Sequence, residues 1–332
     1  MARNMKTKAA AVLAAIVLAL TACGNGGQTA EPANADGGSP TSGGGAKVVR
    51  IGYQKYGTVN ILKAKGTLEK RLAQEGVKVE WTEFPGGPQL LEALNVGSID
   101  IGHTGEAPPI FAQAAGAPLV YLAHEPASPH GEAILVPKGS SIRSVADLKG
   151  KKVALNKGSN VHYLLVKLLE QAGISYSDIE TVFLPPADAR VAFERGNVDA
   201  WVIWDPYFAA AQTADHAVVL ADGQGVVSNH EFYLASRSFA EKNPKVIDTL
   251  LDELNKVDEW SKSNQTDVAK LLSAELGIDV PSLELSSGRR GYGVQPIDDS
   301  VIAEQQRIAD AFLKLGLIPK PIQVKDAVLG NR

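Results

Sequence analysis

The chain of 332 residues holds a single cysteine, Cys23, which excludes an internal disulfide and any cysteine-built zinc or iron–sulfur site. Positive charge is in short supply. Against 37 acidic side chains there are 33 basic ones, a formal net charge of -4, which argues against nucleic acid as a partner. The uncharged run Ala9–Leu20 stops short of the roughly 20 residues that a membrane-spanning helix needs. Catalytic signatures are also lacking. His230-Glu231 and His124-Glu125 each open a zinc-protease pattern, but Leu234 and Ser128 stand where its second histidine belongs. Gly223–Ser228 misses the third glycine of a dinucleotide loop and leads toward a strand, Glu231–Ala235, not a helix. There is no GxSxG elbow and no GK[ST] phosphate loop. No catalytic machinery is recognisable, and the expectation is a protein that is not an enzyme and takes neither metal nor cofactor.

What is present begins with an address. Arg3, Lys6 and Lys8 precede the apolar run, as in a secretory signal peptide. Leu20-Thr21-Ala22-Cys23 resembles the lipobox of bacterial lipoproteins. Residues 1–22 are therefore expected to be removed, leaving Cys23 as a lipidated N-terminus on the extracytoplasmic face of a membrane or in the periplasm. The rest of the segment 23–46 is glycine-rich without large apolar side chains, so it cannot offset its own ordering entropy. It reads as a flexible tether with a reach of roughly 26 Å.

From Val48 the pattern alternates. Strands are expected at Val48–Tyr53, Val77–Phe84, Ile99–Gly102 and Leu119–Ala123, with helices at Asn60–Gln74, from Pro88 to Gly97, and at Pro108–Ala115. The alternation restarts with strands Lys152–Leu155, Ile179–Phe183 and Ala200–Ile203 around helices Asn160–Ala172 and Pro186–Arg195. The last hundred or so residues read as mostly helical. The fold class is α/β, with two lobes, each a mostly parallel sheet flanked by helices. Such sheets bind ligands at the carboxyl ends of their strands.

Three strand ends carry short polar loops that open helices: Gln54-Lys55-Tyr56-Gly57-Thr58, His103-Thr104-Gly105-Glu106, and Asn156-Lys157-Gly158-Ser159-Asn160. Free N–H groups at helix N-termini favour an anion, although Thr104, Ser159 and Asn160 could simply cap their helices. At a fourth strand end, Trp204 could wall the apolar part of a ligand or pack in the core. Asp205 could bond that ligand or cap the helix after Pro206. Arg190 could supply charge or lie solvated on the surface, and Trp201 is expected inside.

The stretch Glu83–Pro126 (EFPGGPQLLEALNVGSIDIGHTGEAPPIFAQAAGAPLVYLAHEP) resembles the aliphatic sulfonate-binding proteins of ABC importers. So do Arg50–Gly57, Ser144–Leu165, Pro186–Tyr207 and Phe232–Pro244, and the likeness spans nearly all of Val48–Lys320. The resemblance implies a two-lobed periplasmic-binding-protein-like fold of type II. Lobe one would be residues 47–136 plus 236–332 and lobe two 137–235, with hinge crossings in Ala133–Val136 and Tyr233–Ala235. It places Gln54, Thr104, Gly105, Glu106, Ser159, Asn160 and His162 at the cleft. His103 and Glu106 stand where the family often has serine and aspartate. With Trp204 and Asp205 these make the expected ligand set.

The resulting expectation is a lipid-anchored, monomeric solute-binding protein that serves sulfur metabolism. It would capture an alkanesulfonate, a small organic anion, and deliver it to a membrane permease. Rivals are the same role for taurine, nitrate or a pyrimidine precursor of thiamine, or a pyrimidine-synthesising enzyme of the same fold.

Overall fold

The computed structural model describes residues 45–55 and 57–329. The leader and Cys23 lie outside them, as do most of the tether and Tyr56. The described residues contain ten strands in two five-stranded sheets. The chain runs through β1 (Val48–Tyr53), β2 (Lys78–Glu83), β3 (Ile101–Gly105), β4 (Leu119–His124) and β5 (Glu132–Val136). It continues through β6 (Lys152–Leu155), β7 (Glu180–Phe183), β8 (Ala200–Trp204), β9 (Val218–Asp222) and β10 (Glu231–Ser236). The sheet orders are β2-β1-β3-β10-β4 and β7-β6-β8-β5-β9. Each therefore has the same plan, four strands in one direction and a single antiparallel strand, β10 or β5, in the fourth place.

The helices are α1 (Thr58–Lys65), α2 (Thr67–Ala73), α3 (Gly87–Asn95), α4 (Pro108–Ala114), α5 (Asn160–Gln171), α6 (Pro186–Glu194) and α7 (Tyr207–Thr213). The C-terminal part adds α8 (Arg237–Lys242), α9 (Pro244–Ser263), α10 (Gln265–Leu276), α11 (Val280–Arg289) and α12 (Asp299–Lys314). None of the described helices is long and apolar enough to cross a membrane. The single helix expected over Asn60–Gln74 is two, because Gly66 turns left-handed (φ 62) and ends α1.

One face of the first sheet buries Ile51 and Tyr233 against Leu62, Leu72, Ile247 and Leu272. Its other face buries Phe232 and Leu234 against Leu90, Ile110 and Phe312. The second sheet has its own core of Ile134, Leu155, Leu165, Trp201 and Phe208. Phe312 of α12 also meets Phe111 of α4 (ring centroids 4.9 Å apart) and, from α5, His162 (5.6 Å) and Tyr163 (5.8 Å). That aromatic contact joins the two sheet units.

The expected hinge crossings are corrected by the sheets. Ala133–Val136 lies inside β5, the buried antiparallel strand between β8 and β9. Tyr233–Ala235 lies inside β10, between β3 and β4. By sheet membership, residues 132–136 go with the second unit and 231–235 with the first. The chain passes between sheets at residues 125–131 and 223–230. These two segments run side by side: Ser128 N–H donates to the Ser228 carbonyl (3.0 Å) and Gly223 N–H to that of Pro129 (3.0 Å). A linker and a buried apolar strand are both extended, and only non-local pairing tells them apart.

Candidate ligand cleft

The candidate site lies where the segments after β2 and β3 meet the loop after β6. After β2 comes Pro85-Gly86-Gly87-Pro88, which opens α3 with Pro88 in its first turn, where a missing N–H leaves no bond unmade. The two glycines permit close approach. A Cβ on Gly87 would lie 1.9 Å from Thr104 Oγ1 and 2.6 Å from the Pro108 ring, and one on Gly86 would lie 2.6 Å from Asn156 Nδ2. Thr104 Oγ1, Asn156 Nδ2 and Gln89 Oε1 are buried, and none has a hydrogen-bond partner. Three unpaired polar groups, two from the first unit and one from the second, thus surround one pair of glycines. Buried polar groups are ordinarily bonded, so this cluster is a candidate place for a ligand that brings its own partners.

Neighbouring residues hold these groups in place. Gln54 Nε2 donates to the His103 carbonyl (3.1 Å), tying the segment after β1 to β3. Ser159 Oγ donates to the Asn156 carbonyl (2.7 Å) and steadies the turn before α5. Gly105 packs on Asn160, where a Cβ would stand 3.0 Å from that residue's own.

A second, acidic cluster lies beside the crossing segments. Burial pushes Glu125 up, but Arg290, His103 and Tyr233 outweigh it and hold the carboxyl at about 2. Arg290 forms an ion pair with Glu125, the Tyr233 hydroxyl donates to it at 2.6 Å, and His103 Nε2 lies 3.2 Å away. Glu106, Glu132 and Glu231 are displaced the other way. Burial, with the Glu304 charge nearby, raises Glu106 to about 8. Burial with the Glu125 charge raises Glu231 to about 8, and Glu132 rises well above the usual range for the same reason beside Glu106. Glu106 Oε2 accepts the His230 N–H (3.1 Å), and Glu132 Oε2 accepts Asn160 Nδ2 (2.6 Å). No group of His, Cys, Asp and Glu among the described residues could hold a metal ion.

The expected ligand set divides accordingly. Thr104 and Gly105 lie at this junction, against Gly87 and Asn160, with Ser159 beside Asn156 and Gln54 bracing β3. The Asn160 amide gives its nitrogen to Glu132 and to Asn229 Oδ1 (3.0 Å), leaving no side-chain donor for a ligand. His162 Nδ1 accepts the Gly158 N–H (3.1 Å) and Nε2 meets the Tyr176 hydroxyl (2.8 Å). Burial, aided by Lys157, pushes it down to about 4, so a neutral ring braces the loop from inside. His103 turns to Glu125 and Tyr233, because alternation along β3 sends it to the opposite face from Thr104. Glu106 is engaged with the second crossing segment. Asp205 accepts the Ala209 N–H (3.0 Å), bonding the first turn of α7, and pairs with Arg289 (3.3 Å). Trp204 is 6% exposed and belongs to the core of the second sheet; Trp201 is fully buried, its ring 5.8 Å from that of Phe193. Arg190 pairs with Glu194 (2.6 Å) and Asp215 (3.2 Å). The expected ligand set lacks Gly86, Gly87, Gln89 and Asn156, which make up most of this candidate site. The available signal was the glycine pair set between two prolines at a strand end.

Two sheets of identical plan, joined by paired crossings, have the architecture of periplasmic-type solute-binding proteins. Residues 72–267 match the family described as NMT1/THI5 like, and the chain belongs to that family. A relative from Escherichia coli (strain K12), named as a candidate aliphatic sulfonates-binding protein, is 46% identical over 285 residues, covering 85% of this chain and 88% of that one. The solved alkanesulfonate-binding protein SsuA from Xanthomonas axonopodis pv. citri, bound to MOPS, is 42% identical with a TM-score of 0.83. It covers 86% of this chain and 99% of its own. The periplasmic aliphatic sulphonate binding protein SsuA from Escherichia coli is 45% identical with a TM-score of 0.78, covering 86% and 93%. These relatives are binding proteins, and so is this chain, not an enzyme.

Proposed function

We propose that the chain captures aliphatic sulfonates outside the cytoplasm, in the cleft between its two sheet units, and hands them to the permease of an ABC importer. The observation that carries this reading is the gathering of buried, unpaired Thr104 Oγ1, Asn156 Nδ2 and Gln89 Oε1 around Gly86–Gly87. A sulfonate presents three acceptor oxygens and no proton, so it calls for neutral donors in contact and no carboxylate. Thr104 and Asn156 donate; the Gln89 amide does so once turned about its last bond. Backbone N–H groups at Gly105 and at the start of α5 near Ser159 complete the shell. The relative that holds MOPS, itself a sulfonate carrying an organic ring, supports the assignment. The lobes close over the ligand about the paired crossings, and the closed form is what the permease recognises. Lipidation at Cys23 holds the protein at the membrane, and a Cys23→Ala variant should leave the membrane fraction.

The test is thermal unfolding of ligand-stripped protein with alkanesulfonates, taurine, sulfate, nitrate and a pyrimidine added in turn. A ligand at 100 times its dissociation constant stabilises by about 2.7 kcal/mol, a shift of a few degrees. Alkanesulfonates should give that shift, with sulfate and nitrate giving little. A shift with taurine alone would move the assignment to aminosulfonates, and no shift with any anion would end it.

A further inference from the structure

A cavity of about 280 Å3 lies between α3 and α4, closed on one side by the loop after β6. Its walls include Leu91, Pro108, Phe111 and Ala112 from the first unit and Lys157 and Gly158 from the second. We infer that this cavity receives the organic stem of the ligand whose head group sits at Gly86–Gly87, and that it sets which stems are accepted. The inference rests on the sulfonate reading and deepens it.

Continuity comes first. Pro88, another wall residue, directly follows Gly87. The Pro108 ring lies 2.6 Å from where a Gly87 Cβ would stand. Gly158 lies between Asn156, which supplies one unpaired donor, and Ser159. Along three separate segments, then, cavity wall and polar cluster are at most a residue or two apart. A ligand with its charged end among the donors has its stem directed into this space.

Chemistry comes second. The cavity walls are mostly hydrocarbon, while the adjoining cluster is polar and unpaired. That division suits an amphiphile with one strongly hydrogen-bonding end and suits a compact inorganic anion poorly. The room exists because α4 carries Ala112 and is followed by Ala115 and Ala117, all three lining the cavity. Gly158 (φ 76) approaches Phe111 to 3.4 Å from its notional Cβ, so the second unit covers the cavity only when it sits against the first. Stem binding and closure are thereby coupled. At the outer end Glu92 and Ala115 are exposed, so a long stem emerges into water. Trp204, expected to flank the stem, is not among the lining residues.

The experiment titrates ligand-stripped full-length protein with methane-, butane-, hexane- and octanesulfonate. Affinity should rise about three- to fourfold per methylene and then level off as the stem leaves the cavity. Ala112→Phe fills the space and should lower the ratio of octane- to methanesulfonate affinity by about tenfold or more. Ala115→Leu, at the exposed end and harmless to the core, should lower it less and only for the longer stems. Variants that leave this ratio unchanged would overturn the inference, as would a chain-length dependence removed by Trp204→Ala. Methanesulfonate reports the head-group site alone. If it and every longer homologue fail to bind, the sulfonate reading itself falls and this one with it. If it binds without any dependence on stem, only the stem site falls.

Discussion

Two buried polar clusters lie at the junction of the sheets, and they are built in opposite ways. Around Gly86–Gly87 the groups are neutral, short and unpaired. Beside the crossing segments they are acidic: Glu125 is fully engaged by Arg290, His103 and Tyr233, whereas Glu106 and Glu132 each have one oxygen bonded, to the His230 N–H and to Asn160, and one without a partner, as has Glu231. An unpaired neutral group in a cavity costs modestly until a ligand arrives, whereas an unpaired buried charge would cost far more. The first cluster can therefore stand open and wait, while in the second the one carboxyl held charged, Glu125, is satisfied by the fold and Glu106, Glu132 and Glu231 are pushed by burial toward their neutral acids. The difference separates recognition from construction. The acidic cluster fixes where the crossings meet the sheets, and the neutral one is left for the ligand.

The largest effect should come from breaking the constructed cluster. Arg290→Met leaves the Glu125 carboxylate without its main counter-charge in a buried setting, and should cost about 3–5 kcal/mol of stability in urea unfolding at neutral pH. A loss below about 1 kcal/mol would show that His103 and Tyr233 suffice, and would erase the contrast between the clusters. Next is Gly87→Ala. Its Cβ would meet the Thr104 hydroxyl at 1.9 Å and the Pro108 ring at 2.6 Å. Thr104 can rotate but a proline ring cannot, so overpacking of about 1–3 kcal/mol is expected. Sulfonate affinity should fall roughly tenfold to a hundredfold as Thr104 is displaced. Unchanged affinity would remove the glycine pair from the site.

The acidic cluster also has a pH signature. Glu106 titrates at about 8 in the fold and near the ordinary carboxylate value when unfolded. Between those values the native state keeps a proton that the unfolded chain releases. Stability from this group is therefore full below about pH 4.5 and is lost as pH rises toward 8. Glu231 acts in the same direction, also near 8. Glu106→Gln keeps an oxygen to accept the His230 N–H but cannot ionise. The variant should match the parent near pH 5 and exceed it by on the order of 2 kcal/mol near pH 7. Parallel pH–stability curves for the two proteins would contradict this.

Much of this was legible beforehand, and what was not has a physical pattern. Val48–Tyr53 and Lys152–Leu155 are strands with the bounds their apolar runs suggest, and α5 ends one residue from its expected close. Local periodicity is enough for such elements. Glu132–Val136 and Glu231–Ser236 were not placed correctly, because an extended apolar run does not announce which sheet it joins. The site shows the same division. His103-Thr104-Gly105-Glu106 reads as one loop, yet most of it is β3. The pleat points Thr104 toward α3, His103 goes to Glu125, and Glu106 lies beyond the strand. Asn160 and His162 are residue types that bind ligands, but their partners, Glu132, Asn229 and Tyr176, come from other elements of the fold. A side chain's chemistry is visible in sequence, whereas whether its bonding capacity is already spent is a tertiary fact.

The smallest change is also the sharpest probe of the unpaired cluster. Thr104 is fully buried on β3, opposite Phe232 of β10, and its hydroxyl has no partner. Replacing it with the isosteric valine removes a buried group that the free protein leaves unsatisfied. Stability without ligand should therefore hold or rise by up to about 1 kcal/mol. The same change removes a donor to a charged ligand, a bond worth about 1.5–3 kcal/mol, so sulfonate affinity should fall by about tenfold or more. Opposite signs in the two measurements are what a waiting donor predicts, and Thr104→Ser, which keeps the hydroxyl, should recover most of the affinity. A valine variant that loses stability and affinity together would place Thr104 with the constructed cluster, its hydroxyl serving the fold and not the ligand.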